Sequence, residues 1–554
     1  GPSFSSFFPK TCDADLLSPA TFSFMASSSG YTSIPGPASA SRRIPAVVTA
    51  AALLLAAALF LASTRQSNPS PVQPSARPHI ESSTCTGWST DHLLGPPPCF
   101  RDPLQRLRRA FQDENCPAAL ASAEGAADVG VKIMKLVEGT PFVFFRGAVG
   151  LFFQNLHCEA APFVSGDDVP KVISMGDAHP ENFGVLTLAN KRHIWGVNDF
   201  DHAFRSPFTL DVARGATGFA LYCVERGWKN CAGIAQSWTD GYTWVFEEGE
   251  TAEMVNNDRL IEGSKALTKV RGGYLVARTF EESRKRDEKD KLRKWLEKYI
   301  DVSKKQFHST EELIPVPRSE IAEYQAAMQT YLFNGVPAMA FFLDGKFFDV
   351  LDVASKKGSG TGSIGLNRYY ILVKGRITEH SFDHVILEMK EVRNSILEKY
   401  EDRDVPELLE AKRAYDGGQL AYPFANIFHG WLNFRNSSYI IRRKSPYKKA
   451  VELADLSRSE YDDYAYVAGV AQAHYHVLAG CKDLACALED PASIDKDAFN
   501  AISKYLAGDS KFDAEVAQFA AEEVARETEQ HDLLVRELGK KKYEKEPVRF
   551  LASA

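Results

Sequence analysis

Between residues 171 and 201 the chain alternates short apolar runs with polar segments. Lys171-Val-Ile-Ser-Met175 leads into Gly176-Asp177-Ala178-His179-Pro180-Glu181-Asn182, and Phe183-Gly-Val-Leu-Thr-Leu188 leaves it. Asn190-Lys-Arg192 is a polar turn, and His193-Ile-Trp-Gly-Val197 returns to Asn198-Asp199-Phe200-Asp201. Short β-rich runs bounded by turn residues predict a strand, a loop and a hairpin. Asp177 and Asp199 then project from strand ends into one site.

These residue types suit phosphoryl transfer. One carboxylate orients or deprotonates the attacking hydroxyl, while an Asn oxygen and another carboxylate hold Mg2+ on nucleotide phosphates. On that chemistry Asp177 is the base and Asn182 and Asp199 are the metal ligands. Asp201 is either a second metal ligand or a structural acceptor. A lone Asp-x-x-x-x-Asn would be turn capping; the carboxylates on the adjoining hairpin favour the catalytic reading. His179 is expected to brace the loop, and Arg146 to form a buried ion pair rather than to orient a phosphate.

Gly-Asp-Ala-His-Pro-Glu-Asn-Phe-Gly followed by Val-Asn-Asp-Phe-Asp-His-Ala resembles the mostly bacterial family catalogued as domain of unknown function 2252. That family is itself similar to the aminoglycoside and choline kinases. Further similar blocks are Pro141-Phe-Val-Phe-Phe-Arg146-Gly147, Pro207-Phe-Thr-Leu-Asp211-Val-Ala-Arg214, Gly418-Gln-Leu-Ala, Ile427-Phe-His-Gly-Trp431 and Ala471-Gln-Ala-His474. The resemblance spans roughly residues 100 to 540. It implies a kinase-like phosphotransferase, leaves the acceptor open, and implies that Asp211 hydrogen-bonds the backbone of the loop.

A kinase also needs a loop over the phosphates and a lysine. Both candidates follow the catalytic residues: Lys357-Gly358-Ser-Gly360-Thr-Gly362-Ser-Ile-Gly365, then Tyr369-Tyr-Ile-Leu-Val373, then His384-Val-Ile-Leu-Glu-Met-Lys390. Glycines admit close approach of backbone N–H groups to phosphates, and Lys390 ends an apolar strand as a kinase β3 lysine does. Gly358, Gly360, Gly362, Gly365 and Lys390 are therefore the expected ATP-binding residues. The order predicts an α+β, two-lobed, kinase-like fold that is circularly permuted, with nucleotide-covering hairpins over residues 340–400. A helix from about Glu391 to Tyr400 is expected to supply the acidic partner of Lys390, from Glu391 or Glu398.

With 554 residues and 44% apolar content the chain can bury a large core, and a net charge of −7 argues against nucleic acid as the main partner. Arg442-Arg443-Lys444 with Lys448-Lys449 reads as solvated surface, and residues 281–304 as an exposed helix. Residues 1–45 form a disordered or targeting tail, and 46–63 an apolar signal anchor or signal peptide behind Arg42-Arg43. A Pro/Ser stalk over 64–84 follows, and the catalytic domain occupies 85–554. This predicts a type II single-pass protein of the secretory pathway or an organelle membrane with a luminal domain, or a secreted one after cleavage. Near pairs Cys85/Cys99, Cys223/Cys231 and Cys481/Cys486, with Cys116/Cys158 left over, suit an oxidising lumen. Asn436-Ser-Ser438 is a glycosylation sequon.

Three functions compete. An ATP- and Mg2+-dependent phosphotransferase acting on a hydroxyl-bearing small molecule or glycan uses the most residues. A catalytically silent kinase fold would bind nucleotide or a partner. A Golgi glycosyltransferase would use Asp199-Phe200-Asp201 as a metal-holding Asp-x-Asp, and leaves Asp177, Asn182, the glycine loop and Lys390 unexplained.

Overall fold

The computed structural model describes residues 99–121, 123–159, 168–187, 192–247, 260–285, 289–334, 346–358, 362, 364–375, 384–400, 409–422, 428–479, 496–539 and 550–551. All belong to the unit His79–Ala554. The expected tail, anchor and stalk, together with Cys85, Gly360, Cys481 and Cys486, lie outside the described residues.

The chain opens with helices α1 (Pro103–Ala121), α2 (Ala123–Glu138), α3 (Pro141–Gly147) and α4 (Val149–Cys158). Strands β1 (Lys171–Ser174), β2 (Phe183–Thr187), β3 (His193–Val197) and β4 (Phe204–Pro207) follow, then α5 (Phe208–Glu225) and α6 (Cys231–Glu247). Next come α7 (Gly273–Arg284), α8 (Lys289–Glu297), β5 (Ile300–Asp301), β6 (Gln306–Phe307), β7 (Leu313–Pro315) and α9 (Ile321–Asn334). The last stretch holds β8 (Val350–Lys356), β9 (Arg368–Val373), β10 (Val385–Val392), α10 (Glu410–Ala421), β11 (Gly430–Phe434), β12 (Ser437–Arg443), α11 (Arg458–Leu478), α12 (Lys496–Gly508) and α13 (Phe512–Leu538). The protein is α+β.

The sequence places β1, β2 and β3 correctly, and β2 and β3 pair as the expected antiparallel hairpin. β1 pairs instead with β4, which returns the chain beneath the 176–182 loop into α5. The largest apolar core packs this small-sheet region against α5, α6 and α11, with Trp195, Trp238 and Tyr464 buried in it. α11 lies along α6, and α13 crosses both α5 and α6.

The other sheet is six-stranded and antiparallel, in the order β11-β12-β10-β9-β8-β7. Side chains alternate across a strand, so its two faces differ. Val353, Ile371, Leu387, Met389, Tyr439 and Ile441 pack against α9 on one face. The other face carries Ala354, Tyr370, Leu372 and Ile386 under the β5–β6 hairpin and Leu296 of α8. Further along, that second face becomes charged.

Four expectations are corrected. No α-helix forms over 391–400: β10 continues to Val392 because it is paired on both sides, and only a 3-10 turn follows at Ile396–Lys399, opened by a Ser395–Glu398 capping box. The charged stretch from 281 onward is broken between α7 and α8 and ends in β5 rather than forming one helix. Cys99 pairs with Cys158, not with Cys85, and Cys158 is therefore not the partner of Cys116. The basic run at 442–449 is only partly solvent-facing, as shown below. Cys223–Cys231 forms as expected and joins the end of α5 to α6. Arg435 and Asn436, both at positive φ, make the exposed β11–β12 turn that presents the sequon. Among the described residues no helix is long and apolar enough to cross a membrane.

Candidate functional site

The 176–182 loop is held from below by the first turn of α5. Gly176 sits at φ +76°, and a Cβ there would lie 2.7 Å from His202 Cβ and 2.8 Å from His202 O. Conformation and crowding together require glycine. The fully buried Asp211 accepts from the N–H groups of Met175 (2.6 Å) and Gly176 (2.9 Å). Gln472 Nε2 and His476 Nε2, each 2.9 Å away, complete its shell. Its predicted contact with the loop backbone is thus present.

One turn along α5, Arg214 donates to Asp177 Oδ1 from Nε (2.9 Å) and Nη2 (2.6 Å). Nη2 also donates to Phe145 O, and the guanidinium lies 4.0 Å from the centre of the Phe145 ring. The fork fixes the rotation of the Asp177 carboxylate. Asn182 Nδ2 donates to Asp177 O (3.0 Å) and lies 3.5 Å from Asp177 Oδ2. Asn182 O accepts from the N–H of Asn198 (3.1 Å), which ties the loop to the residue before Asp199.

His179 does brace the loop. It is buried, its Nδ1 accepts from the N–H of Glu181 (3.1 Å), and its Nε2 is 3.6 Å from Asp177 Oδ2. Burial, with Arg146 and Arg214 nearby, holds its pKa well below the ordinary histidine value. Arg146 pairs with Glu181 at 2.6 Å, but the pair stands at the rim, half-exposed, rather than buried.

Lys390 comes across from the large sheet. Its Nζ is 3.6 Å from Asp199 Oδ1 and in direct contact with Asp201 Oδ2, and the side chain is only 4% exposed. Lys390 and Asp199 meet although Lys390 stands on β10 of the large sheet and Asp199 follows β3 of the β2–β3 hairpin. The acidic partners of Lys390 are thus Asp201 and Asp199, not Glu391 or Glu398. Glu391, one residue on, faces the opposite side of β10 and binds Asn367 and Arg393. Glu398 caps Ser395 and lies 3.7 Å from Arg413. Arg413 of α10 donates to Asp201 O and Arg393 O and so clamps the 199–203 turn to the end of β10.

The electrostatics divide the acidic pair. Burial raises the Asp199 pKa, but Lys390, Arg442 and Lys448 outweigh it and hold the group below the ordinary carboxylate range. Burial and the charge of Asp199 push Asp201 up despite Lys390. Asp199 is thus the more acidic of the two. Its Oδ1 is buried and makes no hydrogen bond among the described residues.

No group of three or more His, Cys, Asp or Glu able to hold a metal occurs among the described residues. Asn182 and Asp199 nevertheless fit Mg2+, which takes few protein oxygens and completes its octahedron from phosphates and water. The orphaned Asp199 Oδ1 is the feature that fits.

Gly358 and Gly365 adopt positive φ in the β8–β9 loop. A Cβ on Gly362 would lie 3.5 Å from Arg146 O, and Lys357 Nζ is 3.7 Å from Asp128. The loop therefore reaches α2 and α3, and α3 in turn meets the 176–182 loop through Arg146 and Glu181.

Three residues escaped the sequence reading. Arg214 had a signal, because Asp211-x-x-Arg214 puts both side chains on one helical face. Arg442 pairs with Glu388 (2.6 Å), which also lies 3.4 Å from Arg368. Lys448 is delivered when Lys449 O accepts from the N–H of Val185 (2.8 Å) on the β2–β3 hairpin. The charge of Arg442 above all pushes the Lys448 amine down to about 8. Nothing in the local sequence separates these two from ordinary surface cations.

A mixed α+β protein with a lysine–dicarboxylate cleft beside a second, arginine-clamped aspartate is the class that fold and site define. The chain belongs to the family described as "Uncharacterized protein conserved in bacteria (DUF2252)", whose model matches residues 127–537. No curated protein and no solved structure matches it.

Proposed function

We propose that the chain is an ATP- and Mg2+-dependent phosphotransferase acting on a hydroxyl group of a small molecule or glycan, on a permuted, two-lobed, kinase-like fold. The observation that carries the proposal is the meeting of Lys390 with Asp199. Lys390 stands on the third strand of a β8-β9-β10 meander whose first turn is the glycine loop, the order in which a kinase presents its phosphate-binding lysine.

In this reading Asp177 receives the acceptor hydroxyl. Arg214 occupies Oδ1, which leaves Oδ2 to orient that hydroxyl for in-line attack, the main demand of a loose phosphoryl-transfer transition state. Asn182 and Asp199 would hold the metal, which would supply positive charge against the phosphates. Lys390, kept beside Asp199 by the Arg413 clamp, binds the phosphate chain. The glycine loop covers it and excludes water. An Asp-x-Asp sugar-nucleotide site is less favoured, because Asp201 already engages Lys390. Disulfides Cys99–Cys158 and Cys223–Cys231 favour an oxidising compartment, in keeping with residues 46–63 as a type II anchor and a luminal domain.

The test is calorimetric titration of MgATP into the protein and into Asp199→Ala, Lys390→Ala and Asp177→Ala. Binding lost in the first two variants and kept in the third, with turnover on an acceptor panel abolished by the third, is expected. An intact protein that ignores MgATP but binds a sugar nucleotide with Mn2+ refutes the proposal. Binding without turnover over a broad panel favours a silent nucleotide-binding fold.

A further inference from the structure

The cleft-facing side of the large sheet carries more cations than the donor lysine of a phosphotransferase requires. Lys390 lies opposite Arg368 on β9 and Ile440 on β12, and Glu388 lies opposite Arg442. Residues two apart share a face, so Glu388, Lys390, Arg368 and Arg442 line one strip. Lys448 joins it from the segment bonded to Val185.

The charges on this strip are unequally satisfied. Glu388 is shared between Arg368 and Arg442, which hold it ionised against its burial. Arg442 commits Nε to Glu388, while its two terminal nitrogens make no hydrogen bond among the described residues. Lys448 is exposed and forms no ion pair among the described residues. Both cations act on Asp199. Lys390, Arg368, Arg442 and Lys448 thus stand against Asp199, Asp201 and Glu388, and a metal at Asp199 would raise the excess further. This excess of positive charge, with the terminal nitrogens of Arg442 and the Lys448 amine left to donate, recruits an anion.

We propose that Lys390, Arg442 and Lys448 form a rail for a chain of two or more linked phosphates, running along β10 and β12 away from the glycine loop. The direction follows from register. Arg368, opposite Lys390, adjoins the glycine loop, whereas Arg442 pairs with Glu388, two residues before Lys390 on β10 and about 6–7 Å from it. The identity of the chain as the phosphate donor rests on the phosphotransferase reading; its binding does not. A nucleoside triphosphate and an inorganic polyphosphate share this chemistry.

The experiment titrates the full chain with the Mg2+ complexes of AMP, ADP, ATP and tripolyphosphate, beside Lys448→Ala, Lys448→Arg and Asp199→Ala. Affinity should climb from AMP to ATP. Lys448→Ala should weaken ATP about tenfold or more, as loss of a charge-assisted contact does, and leave AMP unchanged, while Lys448→Arg should restore ATP binding. Tripolyphosphate binding with the same sensitivity assigns the rail to phosphate chains as such, whereas binding of ATP without tripolyphosphate assigns it to nucleotides. Lys448 is exposed, so the variant should fold. If Lys448→Ala keeps wild-type ATP affinity while Asp199→Ala loses it, the rail is overturned and the phosphotransferase reading stands. If the wild-type chain binds none of the four, both fall.

Discussion

Asp211→Asn is the most informative single change, because Asp211 touches no expected substrate and yet holds the 176–182 loop. Its carboxylate accepts four hydrogen bonds, from Met175 N–H, Gly176 N–H, Gln472 and His476. An amide of the same shape keeps one acceptor oxygen and turns an NH2 toward the remaining donors. Oδ1 serves Gly176 N–H alone and Oδ2 the other three, so at least one charge-assisted bond is lost, at about 1.5–3 kcal/mol, and more if the NH2 takes the place of Oδ2. That loss alone is a sizeable part of the stability of a typical domain. The loop should bear about 2 kcal/mol of this through whichever of its two amides loses its acceptor. That corresponds to roughly thirtyfold faster amide exchange at Met175–Gly176. Hydrogen exchange read by mass spectrometry on a peptide spanning these residues, with urea unfolding of the whole chain, measures both parts. Wild-type exchange in this peptide, in a variant that is folded, would refute the claim that Asp211 anchors the loop.

Three other outcomes follow. Burial and Arg442 push His429 down to about 3, so it stays neutral when folded while the unfolded chain takes up a proton below about 6.5. Stability should therefore fall as pH drops below 6.5, by at most about 1.4 kcal/mol per unit from this group, and His429→Gln should flatten the slope in urea titrations at pH 4.5–7.5. Glu527 of α13 has both carboxyl oxygens buried without a hydrogen bond among the described residues, and burial with Glu523 raises its pKa strongly. The stability it lends is full below the ordinary carboxyl range and declines as pH rises above it. Glu527→Gln should match or exceed wild-type stability at pH 8, and a loss above about 1 kcal/mol there would instead assign it an ionic role. Cys99–Cys158 closes a loop with a sequence separation of 59. Replacing both cysteines by serine should lower the unfolding free energy by up to about 4 kcal/mol on the chain-entropy account.

Much of the site was legible because its signals are local. Period-two runs ending in turn residues marked β1, β2, β3, β9 and β10, and residue types at fixed offsets singled out Asp177, Asn182, Asp199 and Lys390. Where the sequence misled, composition was asked to decide a question of pairing. The acidic and basic residues after Lys390 suit a helix, yet β10 has a neighbour on both sides, and strand geometry sends Glu391 to the face opposite Lys390. Cysteines close in sequence suggested disulfides, but a span that returns through α4 brings Cys158 to Cys99 instead.

By itself, then, the sequence determined strands β1, β2, β3, β9 and β10, the polar loop over 176–182, and the residue types gathered at the candidate site, since each depends on backbone preference and spacing within a few residues. The tertiary structure decided which charges face one another. Arg214 reaches Asp177 because α5 runs beneath the loop, Lys390 finds Asp201 because two sheets meet, and Arg442 and Lys448 become a cleft wall only through strand register and one backbone bond to Val185. Electrostatic energy depends on distance and burial, and folding sets both between residues far apart in the chain.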